Sequence, residues 1–291
     1  GYFGGKMRQI VETAESILEE SEKKRKEPGA AKTILVHCWR GGMRSAGIAW
    51  LLDLYGFKVY TLTGGYKAFR NYVLQLFGNE YRINIIGGYT GSGKTKVLKA
   101  LQKMGETVID LEGIARHKGS AFGDLGEEQQ PSQEMFENIL ALELSKSQSG
   151  TTIWMEDESM RIGIVQLPKA LWNTMRSSPV YFLEVPFDMR LQYISSEYGR
   201  FKKENLINAT LRIQKRLGNL NAKNAVNYFI EHDNAAAFGI LLTYYDKYYS
   251  HALHQRENLN ELLSIIPCAT TDEKTNAIHI LNAVASAERT A

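Results

Sequence analysis

Two glycine-rich loops in this sequence contain the residue types that bind anions. The first, His37–Ser45, has the sequence His-Cys-Trp-Arg-Gly-Gly-Met-Arg-Ser, and the second, Gly88–Thr95, has the sequence Gly-Tyr-Thr-Gly-Ser-Gly-Lys-Thr. Glycines let main-chain N–H groups converge on one anion without interference from side chains. The pair of loops predicts an enzyme, and the other residues of each loop indicate different chemistry.

The second loop matches the P-loop pattern G-x-x-x-x-G-K-[ST] at every position. An apolar strand is predicted before it and an amphipathic helix after it, which is the context that the motif requires and which argues against a chance glycine turn. The predicted phosphate-binding residues are Gly88, Gly91, Ser92, Gly93, Lys94 and Thr95. Such a loop indicates a diphosphate or triphosphate ligand and does not specify the reaction.

A strand that ends in acidic residues should accompany a P-loop, because a carboxylate there can hold Mg²⁺ or act as an acid. The apolar run that begins at Thr151 ends in Glu156, Asp157 and Glu158. Asp157 is the preferred candidate and Glu156 the second. The alternative is an ordinary strand end that meets solvent.

The first loop places Cys38 between a predicted strand and a predicted helix. The helix dipole and Arg44 would favour the thiolate, the reactive form of cysteine. Arg40, Gly41, Gly42 and Ser45 complete the predicted anion loop. The string satisfies the cysteine-phosphatase signature H-C-x-x-G-x-x-R-[ST] and equally resembles the loop of rhodanese-type domains; an inert buried cysteine is the remaining alternative. A phosphatase also needs a general acid, and the single aspartate of residues 1–78 is Asp53, in a predicted helix.

Alternating strands and helices must position these loops. Strands are predicted at Lys32–His37, Phe57–Leu62, Ile83–Ile86, Thr107–Leu111, Thr151–Met155 and Val180–Val185. Helices are predicted at Gly5–Glu27, Ser45–Leu54, Gly65–Phe77, Lys94–Met104 and Ser132–Ser147, with further helices after Met189. The fold class is therefore α/β. Three regions are expected: an α/β domain at 1–78, a parallel P-loop α/β domain at 79–190, and a helical, partly basic region at 191–291.

Composition limits the classes of protein that remain. With 44% apolar and 23% charged residues among 291, the chain should be globular, and its two cysteines lack the spacing of a zinc site or disulfide framework. A cytoplasmic location is expected, with no membrane association, no resident metal and no tightly bound cofactor apart from Mg²⁺ accompanying a diphosphate.

Positive charge is concentrated in one segment. Residues 199–223 carry seven basic residues and one acid, a net charge of +6, against +3 for the whole chain. The candidate residues for binding RNA phosphates are Arg200, Lys202, Lys203, Arg212, Lys215 and Arg216, of which the last three should share one helix face. A lid over the P-loop and a solvated basic face are the alternatives. Tyrosines near this segment could stack on bases, although most should be core.

A rhodanese-like cysteine loop joined to a P-loop domain resembles the tRNA 2-selenouridine synthase family. Further stretches are similar to that family: Gly64–Lys67, Asp110–Glu112, His117–Gly123, Trp154–Ser159, Ile162–Gly163, Tyr244–Asp246 and Tyr248. The resemblance covers about Thr33 to Tyr249 and implies that residues 1–78 are part of a rhodanese-like domain whose N-terminal part is missing.

The resemblance also implies a function. Members of the family replace the sulfur of 2-thiouridine at the wobble position of tRNA by selenium from selenophosphate, through a nucleoside geranylated by geranyl diphosphate. The selenium-carrying cysteine matches Cys38, and Arg44 would hold the anion. The expected partners are tRNA, selenophosphate and geranyl diphosphate, with a nucleotide as the alternative ligand of the P-loop. A phosphatase joined to a kinase-like domain and a non-catalytic RNA-binding protein are the rival functions.

Overall fold

The computed structural model describes residues 2–25, 32–148 and 150–288. The chain divides into two compact units, Gly1–Gln75 and Leu76–Ala291. None of the helices in the described ranges is long and apolar enough to cross a membrane.

The first unit is a small α/β layer. Its elements are α1 (Tyr2–Arg25), β1 (Thr33–Val36), α2 (Met43–Leu54), β2 (Lys58–Thr61) and α3 (Gly65–Leu76). The strands are parallel, with Thr33 opposite Lys58, and α2 is the crossover that a parallel pair requires. Val11 and Ala14 of α1 pack with Leu52 and Phe57 in its buried core. The predicted end of the first helix, Glu27, lies outside the described residues.

The second unit is built on a five-stranded sheet. Its strands are β3 (Arg82–Gly88), β4 (Thr107–Val108), β5 (Thr152–Glu156), β8 (Val180–Glu184) and β9 (Leu263–Pro267). The order is β4-β5-β3-β8-β9, and every neighbouring pair is parallel. Ile85 and Ile86 of the central strand are fully buried because helices cover both faces of the sheet. The parallel order brings the carboxyl ends of the strands, and the loops that follow them, to one edge.

Four helices and a hairpin connect these strands. They are α4 (Lys94–Lys103), α5 (Leu111–Ala115), α6 (Gln133–Lys146), the antiparallel strands β6 (Arg161–Ile162) and β7 (Val165–Gln166), and α7 (Lys169–Arg176). The predicted strand at Thr107–Leu111 is too long, because the Asp110 carboxylate caps the N-terminus of α5 by accepting from Gly113 N.

The region after β8 is mostly helical, as predicted. It comprises α8 (Phe187–Tyr198), α9 (Lys203–Arg212), α10 (Gln214–Leu217), α11 (Asn219–Ile230), α12 (Asn234–His254), α13 (Leu259–Leu262) and α14 (Glu273–Glu288). A second core of Tyr198, Leu206, Phe229 and Phe238 holds α8, α9, α11 and α12 together. The same region also contributes the edge strand β9, so the sheet draws on residues beyond the range 79–190.

Candidate functional site

Cys38 lies at the end of β1, where two hydrogen-bond donors approach its sulfur. The Ser45 hydroxyl lies 3.3 Å from Sγ, and the Gly42 N–H donates to Sγ at 3.3 Å. These contacts, with that of Ser45 first, lower the pKa of Cys38 to about 6. The one hydroxyl proton of Ser45 also lies within reach of the Gly42 carbonyl oxygen, at 3.0 Å. It must turn from that oxygen to the sulfur when the thiolate forms.

The start of α3 supports the cysteine loop from behind. Tyr66 N donates to Cys38 O and Lys67 N to Trp39 O, each at 2.9 Å. Gly65 has φ +66°, and a side chain there would collide with the Cys38 carbonyl oxygen and the Gly41 nitrogen. The predicted motif at Gly64–Lys67 therefore packs directly against the loop that carries the thiol.

The two arginines of the loop are exposed. The side chains of Arg40 and Arg44 make no hydrogen bond or ion pair with another residue in the described ranges. The main causes of the lowered pKa of Cys38 are hydrogen bonds, including one from the Arg40 main chain. Ser45 is buried, whereas Gly41 and Gly42 are exposed. Local hydrogen bonds thus stabilise the thiolate, and the arginine side chains face solvent. Cys268 differs, since it is buried and burial raises its pKa to about 11.

The P-loop connects β3 to α4 in the predicted context. Gly88, Gly91 and Gly93 have φ values of +144°, +85° and +81°, conformations that favour glycine. Lys94 Nζ donates to the Gly88 carbonyl oxygen at 2.8 Å, so the lysine folds back across the loop. The Ser92 side chain is fully buried, and its hydroxyl has no hydrogen-bond partner within the described part of the chain.

Glu112, not Asp157, is the acid that contacts the P-loop. The Thr95 hydroxyl donates to Glu112 Oε2 at 2.8 Å. Burial raises the pKa of Glu112, and burial together with the Glu112 charge raises that of Glu158 well above its usual range. The sequence pattern indicated Asp157 and Glu156, not Glu112, for the magnesium or acid role, and that role stays a prediction. Glu112 belongs to the motif Asp110-Leu-Glu112 noted in the sequence. The spacing of residues could not show that α5 turns Glu112 toward Thr95.

Glu156, the second acidic candidate, is fully buried beneath this group. Leu111 N donates to its Oε2 at 3.2 Å, while Oε1 has no partner among the residues described. Burial and the nearby charge of Glu112 raise its pKa well above the usual value. Thr95 Oγ1 and the Glu112 carboxylate are oxygen ligands of the kind that Mg²⁺ prefers, so the residues present fit that ion. No group of three or more His, Cys, Asp or Glu in the described ranges is arranged to hold a metal by itself.

Asp157 instead joins the P-loop to α12. Its carboxylate pairs with Arg256 and accepts from the Tyr249 hydroxyl at 2.6 Å. The same hydroxyl accepts from Gly88 N at 3.2 Å. The Arg256 side chain is 1% exposed and the Asp157 side chain 8%, so both charges depend on this pairing. The sequence could not identify Arg256 as a residue of this site, because its partner Asp157 lies far away along the chain.

A second, partly buried ion pair supports the outer part of the P-loop. Arg190 of α8 donates to both carboxylate oxygens of Asp246 at 2.7 and 2.8 Å. It also donates to the Thr90 carbonyl oxygen at 3.1 Å. A Cβ atom on Gly91 would lie 2.8 Å from Ile194 and 3.0 Å from the Arg190 carbonyl oxygen. The glycine spacing of the motif therefore serves the packing of α8 as well as phosphate approach.

A cleft with a volume of about 600 Å³ opens beside the P-loop. Its lining includes polar and charged residues, among them Lys94, Thr95, Glu112 and Glu158. It also includes apolar and aromatic residues, among them Met160, Trp172, Tyr248, Ala252 and Leu253. The cleft therefore offers contacts both to an anionic group and to an apolar or aromatic group.

The basic segment does not present one continuous helix face. Arg212, Lys215 and Arg216 are divided because α9 ends at Arg212 and α10 begins at Gln214, so the predicted common face was wrong. Arg212 donates to Asp124 at 2.8 and 2.9 Å and to Ala121 O at 2.6 Å, which fixes the loop after α5. The other predicted members are exposed: Arg200, Lys202, Lys203, Lys215 and Arg216.

Comparisons with known proteins agree with the two parts of the structure. A family model described as the tRNA 2-selenouridine synthase AAA domain matches residues 81–263, and the rhodanese-like domain model matches residues 8–72.

Curated relatives carry the same name. The chain is 33% identical to the tRNA 2-selenouridine synthase of Psychromonas ingrahamii over 77% of this chain and 69% of the relative. It is 34% identical to that of Hydrogenovibrio crunogenus over the same shares. It is 37% identical to that of a Sulfurovum species over 63% of this chain and 55% of the relative. The matched part thus spans between about half and two thirds of each relative's length.

Proposed function

The chain belongs to the tRNA 2-selenouridine synthase family, and from that premise we propose that it replaces sulfur by selenium in the 2-thiouridine at the wobble position of tRNA. The observation that carries the proposal is the Cys38 loop, where Ser45 and Gly42 stabilise a thiolate, in one chain with a P-loop cleft that is lined by both charged and apolar residues. The names of the relatives support tRNA as the substrate.

Cys38 is the proposed selenium carrier. A pKa of about 6 keeps its sulfur ionised at neutral pH, and the thiolate is the nucleophilic form of cysteine. Selenophosphate is the proposed donor. The exposed Arg40 and Arg44 at the rim of the loop suit a doubly or triply charged anion that approaches from solvent.

Geranyl diphosphate is the proposed ligand of the P-loop cleft. Its diphosphate would take the place where glycine N–H groups and Lys94 converge, and Mg²⁺ held by Thr95 and Glu112 would neutralise further charge. The sulfur of 2-thiouridine forms a bond to the first carbon of the geranyl group as the carbon–oxygen bond to diphosphate breaks. Lys94 stabilises the charge that develops on the leaving diphosphate. Trp172, Met160 and Leu253 supply apolar surface for the hydrocarbon chain.

Mass analysis of tRNA tests both halves of the proposal. Wild-type protein with geranyl diphosphate and selenophosphate should yield 2-selenouridine from tRNA that contains 2-thiouridine. Cys38→Ala should stop selenation and leave geranylation intact, whereas Lys94→Ala should stop geranylation. If the Cys38→Ala protein still selenated tRNA, Cys38 would not be the selenium carrier. If the Lys94→Ala protein geranylated tRNA as wild type does, the P-loop would not be the binding site of the diphosphate.

The phosphatase signature of the loop makes a cysteine phosphatase the second candidate. That reaction needs an acid close to the sulfur. Asp53 is an exposed residue of α2 and is not among the main causes of the lowered pKa of Cys38. Hydrolysis of an aryl phosphate that disappears in Cys38→Ala would favour this candidate over selenium transfer.

A further inference from the structure

Four tyrosines of α12 form two pairs, each with a spacing of one helical turn. In the first pair, Tyr245 and Tyr249, both hydroxyl groups have fixed partners. Tyr245 accepts from Ala121 N at 3.2 Å, and Tyr249 accepts from Gly88 N and donates to Asp157. The hydroxyl groups of this pair therefore connect α12 to the P-loop and to the loop after α5.

The second pair, Tyr244 and Tyr248, is arranged differently. The two rings are nearly parallel, at an interplanar angle of 23° with centroids 6.5 Å apart. Tyr244 packs against the helical core, and the Arg216 guanidinium lies beside its hydroxyl. Tyr248 is 54% exposed and belongs to the lining of the cleft that contains Lys94. A single exposed ring is ordinary, but a ring on a cleft wall beside a second, nearly parallel ring is suited to bind a flat ligand.

The surroundings of this tyrosine pair are basic. Arg216 lies at Tyr244, and Lys215 next to it is exposed. Lys247, which precedes Tyr248 on α12, is exposed, and Arg176 lines the same cleft. An aromatic surface among cations has the composition of a site for unpaired nucleotides, because bases stack on the ring while phosphates meet the charges.

We propose that Tyr248, supported by Tyr244, is the surface on which an unpaired base of the RNA substrate stacks as it enters the cleft. The inference rests on the proposed function. The sulfur of the modified base must reach a carbon bonded to the diphosphate in the P-loop, so the base has to leave the stack of its own loop. The Tyr248 ring replaces the stacking that the base loses, on the wall of the cleft where the diphosphate lies.

Binding of an anticodon stem-loop to the full chain tests the inference through a double-mutant cycle. One RNA carries 2-thiouridine at the wobble position, and the other carries an abasic nucleotide there. Fluorescence anisotropy gives the dissociation constants. Tyr248→Ala should weaken binding of the first RNA about tenfold, or about 1.4 kcal/mol, because the base loses the aromatic ring on which it stacks. It should barely affect binding of the abasic RNA, and Tyr248→Phe should bind both RNAs as wild type does.

Tyr228→Ala is the matched control, because Tyr228 is a partly exposed tyrosine of α11 that is not part of the cleft lining. It should leave both dissociation constants unchanged. Equal reductions of affinity for both RNAs in Tyr248→Ala, or no reduction for either, would overturn the stacking role and leave the proposed function standing. Failure of the wild-type protein to bind either RNA would overturn the proposed function and the stacking role together.

Discussion

A single thiol gains its reactivity here from two short-range donors. The Ser45 hydroxyl and the Gly42 N–H each lie 3.3 Å from the Cys38 sulfur. Hydrogen bonds to the charged form favour ionisation, so the pKa falls to about 6 without a cation in contact with the sulfur. Ser45 is thus as important to this chemistry as the arginines that the loop pattern emphasises.

The rate of Cys38 alkylation by iodoacetamide should follow this pKa. The thiolate is the attacking form, so the rate should rise through an inflection near pH 6 and then level off. Ser45→Ala removes the largest stabilising contact and should move the inflection to higher pH. Cys38→Ala reports any background from Cys268, which should stay unreactive at neutral pH because it is buried. An unchanged inflection in Ser45→Ala would show that its hydroxyl does not stabilise the thiolate.

The Tyr249 hydroxyl should contribute measurably to stability. Tyr249→Phe leaves Gly88 N without its acceptor and Asp157 without one donor, at a cost of about 1–2 kcal/mol. For a unit of this size that cost corresponds to a fall of roughly 2–8 °C in Tm. Tyr248→Phe is the control, since none of the hydrogen bonds found in the described ranges involves that hydroxyl. Equal melting temperatures for the two variants in a thermal denaturation experiment would contradict the prediction.

At the scale of elements, the N-terminus of α3 determines the shape of the cysteine loop. Two of its N–H groups, from Tyr66 and Lys67, bind the carbonyl oxygens of Cys38 and Trp39. The first N–H groups of a helix lack partners within the helix. These two hydrogen bonds therefore give partners both to the N–H groups of α3 and to the carbonyl oxygens of the cysteine loop. Gly65 allows the close approach.

Gly65→Ala should therefore disrupt the thiol site. Its new methyl group would collide with the loop backbone, so Cys38 should lose its lowered pKa and react more slowly with iodoacetamide at pH 7. Gly56→Ala is a matched control, because Gly56 also has positive φ, +94°, but has open space around its Cβ position. Both variants bear backbone strain, and the collision is specific to Gly65→Ala. Similar alkylation rates in the two variants would rule out the supporting role of α3.

Elements with a strong local signal could be predicted from the sequence, and contacts between distant segments could not. The strand, glycine loop and helix around Lys94 follow from adjacent residues, and so does the strand before Cys38. The edge strand Leu263–Pro267 was missed because a short apolar run in a helical region becomes a strand only by pairing with Val180–Glu184. The ion pair between Asp157 and Arg256, which follows α12, could not be predicted for the same reason.

For the whole molecule, charge distribution is the property most relevant to an RNA partner. A net charge of +6 in residues 199–223 exceeds the +3 of the complete chain, so the remainder is acidic. Lys202 and Lys215 are exposed within this segment. Contacts between lysines and phosphates release counterions, which makes affinity depend on salt concentration.

Lys202→Ala combined with Lys215→Ala should therefore reduce the salt dependence of tRNA binding. The slope of log K against log salt should become shallower by about 1.5, at roughly 0.7–0.9 for each phosphate that a lysine no longer neutralises. Lys103→Ala with Lys169→Ala removes the same charge from exposed positions elsewhere and should leave the slope close to that of wild type. If both double variants changed the slope equally, net charge rather than the basic segment would govern binding.

The position of β9 at the edge of the sheet also affects how this protein is made. During synthesis β3 can pair with β5 and then with β8, but the outer edge of β8 stays open until Leu263–Pro267 has left the ribosome. The basic helices are translated in that interval. An open strand edge in a growing chain is a site for association with other chains, and distant pairing is slow. The edge of β8 is therefore open to association with other chains throughout the translation of the basic segment.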